Sequence, residues 1–161
     1  MAKQIMSVFV AVTALLLSTA PAATAAQPVP FRAEFSLDGS FVPTAAPGVF
    51  AGTGSGTGRA THLGKVTLST SELVDFTASP GSGTIRGGEM VMVAANGDEL
   101  YWDYSGNGLL PDADGVVSFG GTFTITGGTG RFSDATGGGT FEGEGNVAGD
   151  AVVSYEGTIE Y

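Results

Sequence analysis

Alternation of apolar and polar residues is the clearest pattern in the chain after residue 30. In Phe31–Phe41 the odd positions are mostly apolar and the even positions are polar or charged. The same period of two recurs in Val117–Thr126 and in Ala151–Tyr161. A period of two sends alternate side chains to opposite faces of an extended chain. These three segments are therefore predicted to be strands with one buried face.

Weaker alternation predicts five further strands. They are Val49–Thr53, Thr57–Ser69, Ile85–Ala94, Glu99–Ser105 and Gly138–Val147. Asn96-Gly97 lies between two of them and predicts a two-residue type I′ hairpin, because both residues tolerate positive φ. Helical periodicity is limited to one turn at Phe132–Ala135.

Eight short strands joined by close turns predict an all-β fold. We expect a single eight-stranded antiparallel β-barrel, because closure leaves no exposed strand edge. A β-sandwich is the alternative, since the strand pattern alone does not fix the topology. A barrel of eight strands has an interior that side chains can fill or that holds one small ligand.

The first 26 residues have the pattern of a secretion signal rather than of a strand. Lys3 precedes the apolar segment Val8–Leu17, and small residues lead to Ala23-Thr24-Ala25-Ala26. A charged start, a short apolar segment and an A-x-A-like exit are typical of a cleaved signal peptide. The alternatives are a membrane anchor or a buried helix, but the apolar segment is short for a bilayer span. We predict cleavage after Ala25 or Ala26, a barrel domain over residues 27–161, and a periplasmic or extracellular location.

Composition narrows the classes of partner and chemistry. Without residues 1–26 the chain keeps five basic and 16 acidic residues, a net charge of −11. This balance disfavours nucleic acids and anionic membranes, both of which attract Lys and Arg clusters, so we expect neither as a partner of the mature protein. The chain has no Cys and one His, which argues against disulfides, thiol chemistry and an ordinary zinc site. No catalytic motif is recognised, and no metal or cofactor is expected.

Four glutamates occupy polar strand faces near the C-terminus. Glu142 and Glu144 share one such face, and Glu156 and Glu160 share another. Carboxylates on neighbouring strands could bind Ca²⁺. A solvated outer surface is the interpretation that we favour, because charged residues are seldom buried.

A glycine-rich connection is the most distinctive motif. Residues 127–132 read Gly-Gly-Thr-Gly-Arg-Phe, and Ala135-Thr136-Gly137 follows. Gly130 is predicted to need a positive φ and Phe132 to anchor the connection in the core. This motif resembles a hairpin connection of the dirigent proteins and their relatives in the allene oxide cyclase barrel superfamily. The resemblance implies an eight-stranded barrel, and it allows an isomerase-, cyclase- or dirigent-like activity. Thr61-His62-Leu63-Gly64 and Asn96-Gly97-Asp98 are similar to segments of uncharacterised secreted bacterial proteins of this type.

Three residues are candidates for ligand binding inside the barrel: His62, Trp102 and Tyr104. In the predicted strand Thr57–Ser69, His62 alternates with Ala60, Val66 and Leu68, so it should point inward. It then either lines a ligand cavity or serves as a core residue bonded to a carbonyl or a tyrosine. The first functional hypothesis is a small apolar or aromatic ligand in the barrel. The second is an isomerase or cyclase, and the third is an extracellular structural protein with a packed core.

Overall fold

The computed structural model describes residues 27–79 and 81–161. The predicted secretion signal, residues 1–26, lies outside the described residues. Eight strands follow one another along the chain. They are β1 (Val29–Pro43), β2 (Val49–Ala60), β3 (Gly64–Ser79), β4 (Ser82–Ala94), β5 (Glu99–Leu109), β6 (Val116–Gly128), β7 (Thr136–Asn146) and β8 (Ala151–Glu160).

Each strand pairs antiparallel with its neighbour in sequence, and β8 pairs with β1 to close a barrel. The closing register places Val29 opposite Ile159 and Leu37 opposite Ala151. The prediction of an all-β, eight-stranded antiparallel barrel is confirmed, and a sandwich is excluded. In the part of the chain that the structure describes, no helix is long and apolar enough to cross a membrane.

The two ends of the barrel differ in their connections. At the end that we call the closed end lie the loops 61–63, 95–98 and 129–135, together with the first residue of β1 and the last of β8. A 3₁₀ turn, Gly130–Phe132, covers this end and buries Phe132 completely. At the other end, which we call the open end, lie the loops 44–48, 110–115 and 147–150.

Aromatic rings fill the middle of the barrel. Trp102 lies at their centre, with its ring centroid 5.0 Å from that of Tyr155 and 5.2 Å from that of Phe123. Phe31 packs edge-on against Trp102 from the closed end, and Phe141 stacks on Tyr155 towards the open end. Offset and edge-on aromatic contacts of this kind add stability beyond the burial of apolar area.

Two local predictions are wrong. The predicted strand Thr57–Ser69 is the end of β2 and the start of β3, separated by a turn at residues 61–63. The hairpin at Asn96-Gly97 exists, but three residues, 95–97, lie between Ala94 and Asp98, whose backbone hydrogen bond closes it. Gly97 has φ +87°, whereas Asn96 is not in the positive region. This is the pattern of a type I turn followed by a glycine in the left-handed region rather than of a type I′ turn.

Candidate functional site

A cavity of about 290 Å³ opens at the open end of the barrel. Its wall is largely apolar, and the aromatic rings in the middle of the barrel form its floor. Three of these rings face the cavity: Tyr104, Phe141 and Tyr155. The polar and charged residues of the wall are Thr53, Thr70, Glu72, Tyr104, Asn146, Asp150 and Tyr155.

Glu72 projects a carboxylate into this apolar space. It lies on β3 and alternates with Leu68, Thr70 and Val74, so the pleat directs it inward. Burial raises the pKa of Glu72 above its ordinary value of 4.5, and a hydrogen bond from Tyr104 opposes this increase only in part. A carboxyl group whose charged form is disfavoured in this way is suited to exchange a proton or to bind a hydrogen-bond donor.

The Tyr104 hydroxyl donates a hydrogen bond to the Glu72 carboxylate. Tyr104 belongs to β5 and Glu72 to β3, so the tyrosine ring must cross the intervening strand β4. The β4 residue opposite Tyr104 is Gly88. A Cβ at Gly88 would lie 2.5 Å from Cε2 of Tyr104, so the ring occupies the space that any other side chain would need.

A bulge in β4 accompanies this crossing. The pairing of β4 with β5 shifts between Ile85 and Gly88, and Gly87 has φ +58°. An extra residue in one strand bends it locally and redirects the neighbouring side chains. The bulge and the missing side chain of Gly88 together allow Tyr104 to reach Glu72.

Tyr155 lies beside this pair. Burial, together with the negative charge of Glu72, raises the pKa of both Tyr104 and Tyr155. Both phenols therefore stay protonated at physiological pH and act as hydrogen-bond donors. The site combines a carboxylate, which accepts hydrogen bonds, with two hydroxyls in an apolar wall.

His62 does not belong to this site, and the prediction that it points inward is wrong. It is exposed in the turn between β2 and β3, at the closed end, with φ +69°. Its Nε2 lies 3.0 Å from the Pro30 carbonyl oxygen, and its ring packs near Tyr161. The register explains the error: Ala60 pairs with Gly64, so the chain reverses before His62 could enter the barrel.

Trp102 points inward as predicted, but it lies below the cavity rather than in its wall. It is 1% exposed and packs between Phe31, Phe123 and Tyr155. Its indole N–H has no hydrogen-bond partner among the described residues. Of the three predicted ligand-binding residues, only Tyr104 lines the cavity.

Glu72 is the site residue that sequence reasoning missed. Val66, Leu68, Val74 and Phe76 are apolar residues at even positions of β3, and Glu72 lies at an even position among them. A charged residue on the apolar side of a strand is the signal that could have identified it. The prediction ended this strand at Ser69, so the signal lay outside the segment.

The glycine-rich connection has the structural role that the sequence predicts. Gly130 has φ +58°, and a Cβ there would lie 2.6 Å from Cγ of Asp98. The Arg131 guanidinium donates to the His62 carbonyl oxygen, and its Nε lies 3.9 Å from Asp98 Oδ2. These contacts join three loops of the closed end, far from the open-end cavity.

Candidate metal ligands are not gathered anywhere in residues 27–79 and 81–161, where no group of three or more His, Asp or Glu side chains could hold an ion. Glu142, Glu144 and Glu156 are exposed on the outer surface of the barrel, and Glu160 is partly exposed.

No protein-family model matches the sequence, and a search of curated proteins finds no match. The assignment of the candidate site therefore rests on the geometry of the structure alone.

Proposed function

We propose that this protein binds a small apolar or aromatic molecule in the open-end cavity. The observation that carries the proposal is the Glu72–Tyr104 pair inside an apolar space of about 290 Å³. This volume is close to the lower end of the range for small-molecule sites, and an apolar wall with a few convergent polar groups is their usual composition.

The energetic cost of placing Glu72 in the cavity supports a ligand-binding role over a purely structural one. An ionisable side chain directed into an apolar cavity costs stability, and apolar side chains filling the same space would remove that cost. Proteins keep such costly arrangements mainly where function needs them. The alternative is a structural protein with a packed core. The packing of the closed end agrees with this alternative, whereas the cavity at the open end does not.

Filling the cavity tests this function. Ala151 lines the cavity, whereas the next residue on β8, Val152, is exposed on the outer surface. We expect Ala151→Phe to abolish binding of one- and two-ring aromatic probes, measured by NMR titration, while Val152→Phe leaves binding unchanged. Equal binding by the two variants would place the ligand elsewhere and would contradict the proposal.

An isomerase or cyclase is the second candidate function. It is favoured by the raised pKa of the Glu72 carboxyl, since a general acid or base works best with a pKa near the working pH. Release of a bound molecule from denatured protein separates the two functions. A binding protein returns the ligand unchanged, whereas an enzyme returns an isomer, and Glu72→Gln should stop that conversion.

Secretion and membership of the allene oxide cyclase and dirigent superfamily belong to the same proposal. The supports are the signal-like residues 1–26 and the Gly-Gly-Thr-Gly-Arg-Phe connection. A closed eight-stranded barrel is the architecture that this resemblance implies. The matching motif lies at the closed end, so it carries no site residue of that superfamily into the cavity.

A further inference from the structure

The charged residues described in the lining of the cavity are all acidic. Among the described residues that line it, the charged ones are Glu72, in the interior, and Asp150, at the mouth. Asp150 accepts a hydrogen bond from the Asn146 amide at 3.1 Å and is exposed. The whole chain carries a net charge of −10. A cationic molecule would thus be attracted towards the mouth, whereas an anionic one would be repelled.

The Glu72 carboxylate also has hydrogen-bond acceptor positions that no other described side chain uses. An ionised carboxylate offers about four hydrogen-bond acceptor positions, and the hydrogen bond to its side chain in the described residues comes from Tyr104. Buried carboxylates in proteins are usually paired with a cation. The lining residues supply no Lys, Arg or His within the described part of the chain. The basic neighbour on β4, Arg86, points outward and pairs with Asp75 at 2.9 Å.

Aromatic rings line the cavity that contains Glu72, and the Tyr104 hydroxyl contacts the Glu72 carboxylate directly. Tyr104, Phe141 and Tyr155 form the floor, and Phe119 lines the wall. A cation over an aromatic face gains electrostatic attraction, which is larger when the cation is desolvated. The same rings offer an apolar surface to the rest of the ligand.

We propose that the ligand is an apolar amine, held by an ion pair between its ammonium group and the Glu72 carboxylate. This inference rests on the proposed function, because it specifies the ligand of the same cavity. Apolar carboxylic acids are disfavoured, since their charge would meet Glu72 without a counter-ion. Neutral alcohols can donate a hydrogen bond to Glu72 but lack the charge.

Three probes on one ring system test the ligand class. They are naphthalenes carrying an aminomethyl, a hydroxymethyl or a carboxylate group, and their dissociation constants are measured by calorimetry at pH 7. We expect the amine to bind about tenfold more tightly than the alcohol and the acid to bind most weakly. Glu72→Gln should weaken amine binding about tenfold and leave alcohol binding nearly unchanged.

A matched control removes the same charge from the outer surface. Glu89 lies on β4 and is exposed, so Glu89→Gln should leave amine binding unchanged. Alcohol or acid binding as tight as amine binding would overturn the amine proposal and leave the cavity as a binding site. An amine affinity that Glu72→Gln does not alter, or that Glu89→Gln lowers equally, would also overturn it. Failure of all three probes to bind would overturn both proposals.

Discussion

The two ends of the barrel differ in how tightly they are packed, although the same eight strands form both. The closed end is packed: Phe31, Phe132 and Ile159 are each 0% exposed. The open end keeps a cavity of about 290 Å³, and large apolar residues remain exposed around or near its mouth. They are Phe41, Val42, Phe76, Leu109, Leu110 and Val147. The comparison indicates that the closed end supplies stability, which allows the open end to keep an unfilled space and an inward carboxylate.

Truncating one aromatic residue at each end should give the largest difference in stability between the closed and open ends. Phe132→Ala should lower the free energy of unfolding by about 3–5 kcal/mol, because it removes a fully buried ring from a packed region. Phe119→Ala, in the cavity wall, should cost about 1–2 kcal/mol, since that ring is only partly buried. Urea unfolding measures both. Equal losses would mean that the open end contributes to stability as much as the closed end does.

Backbone conformation provides the next contrast. Gly130→Val should destabilise the protein by about 1–3 kcal/mol, because valine is strained at positive φ, and its Cβ would also meet Asp98. At the open end, Gly108 has no positive φ, and a Cβ there would lie 3.4 Å from Cβ of Phe119. Gly108→Val should therefore change stability by less than about 1 kcal/mol. Melting temperatures compare the variants, and an unchanged value for Gly130→Val would contradict the structural role of the loop.

The sequence is informative where alternation is strong. Phe31–Phe41 and Val117–Thr126 predicted β1 and β6 within a few residues, and the inward positions of Trp102 and Tyr104 are correct. Eight strands with close turns were enough to favour a barrel. Gly130 was identified because its motif required a backbone angle that other residues resist.

The error at His62 has a simple geometric cause. The loop between β2 and β3 has three residues, so the paired residues Ala60 and Gly64 are both even-numbered. Inward residues then have even numbers on both strands, and the period of two continues unbroken across the turn. A pattern of alternation cannot reveal such a turn without a separate turn signal.

The composition of β2 explains why the sequence did not predict the full length of this strand. Its inward residues from 52 to 58 are all glycines, so the strand has little apolar signal despite its 12 residues. Merging its end with β3 also cut the predicted strand short of Glu72. The Glu72–Tyr104 contact depends in addition on the bulge at Gly87 and the absence of a side chain at Gly88. Long-range features of this kind are not encoded in any local period.

The smallest predicted effect is a pH dependence that comes from the open end. Burial raises the pKa of Glu72 above 4.5 in the folded protein. As the pH increases from 4.5, the unfolded chain loses this proton first, so unfolding is favoured and stability falls until the folded carboxyl has ionised as well. Glu72→Gln lacks this titration. Its melting temperature relative to the wild type should therefore increase from pH 4.5 upward and then become constant.

Asp75 on the same strand provides a control of opposite sign. Hydrogen bonds from the Thr77 hydroxyl and backbone N–H lower the pKa of Asp75 below 3.8. This stabilisation is present above pH 3.8 and is lost as the pH falls through the lower folded pKa. Asp75→Asn should thus be less stable than the wild type at neutral pH, with a deficit that shrinks in acid. Melting curves from pH 2 to 8 compare the variants. A Glu72→Gln curve parallel to that of the wild type would show that Glu72 incurs no cost in the cavity, and the proposed difference between the two ends would fail at its central residue.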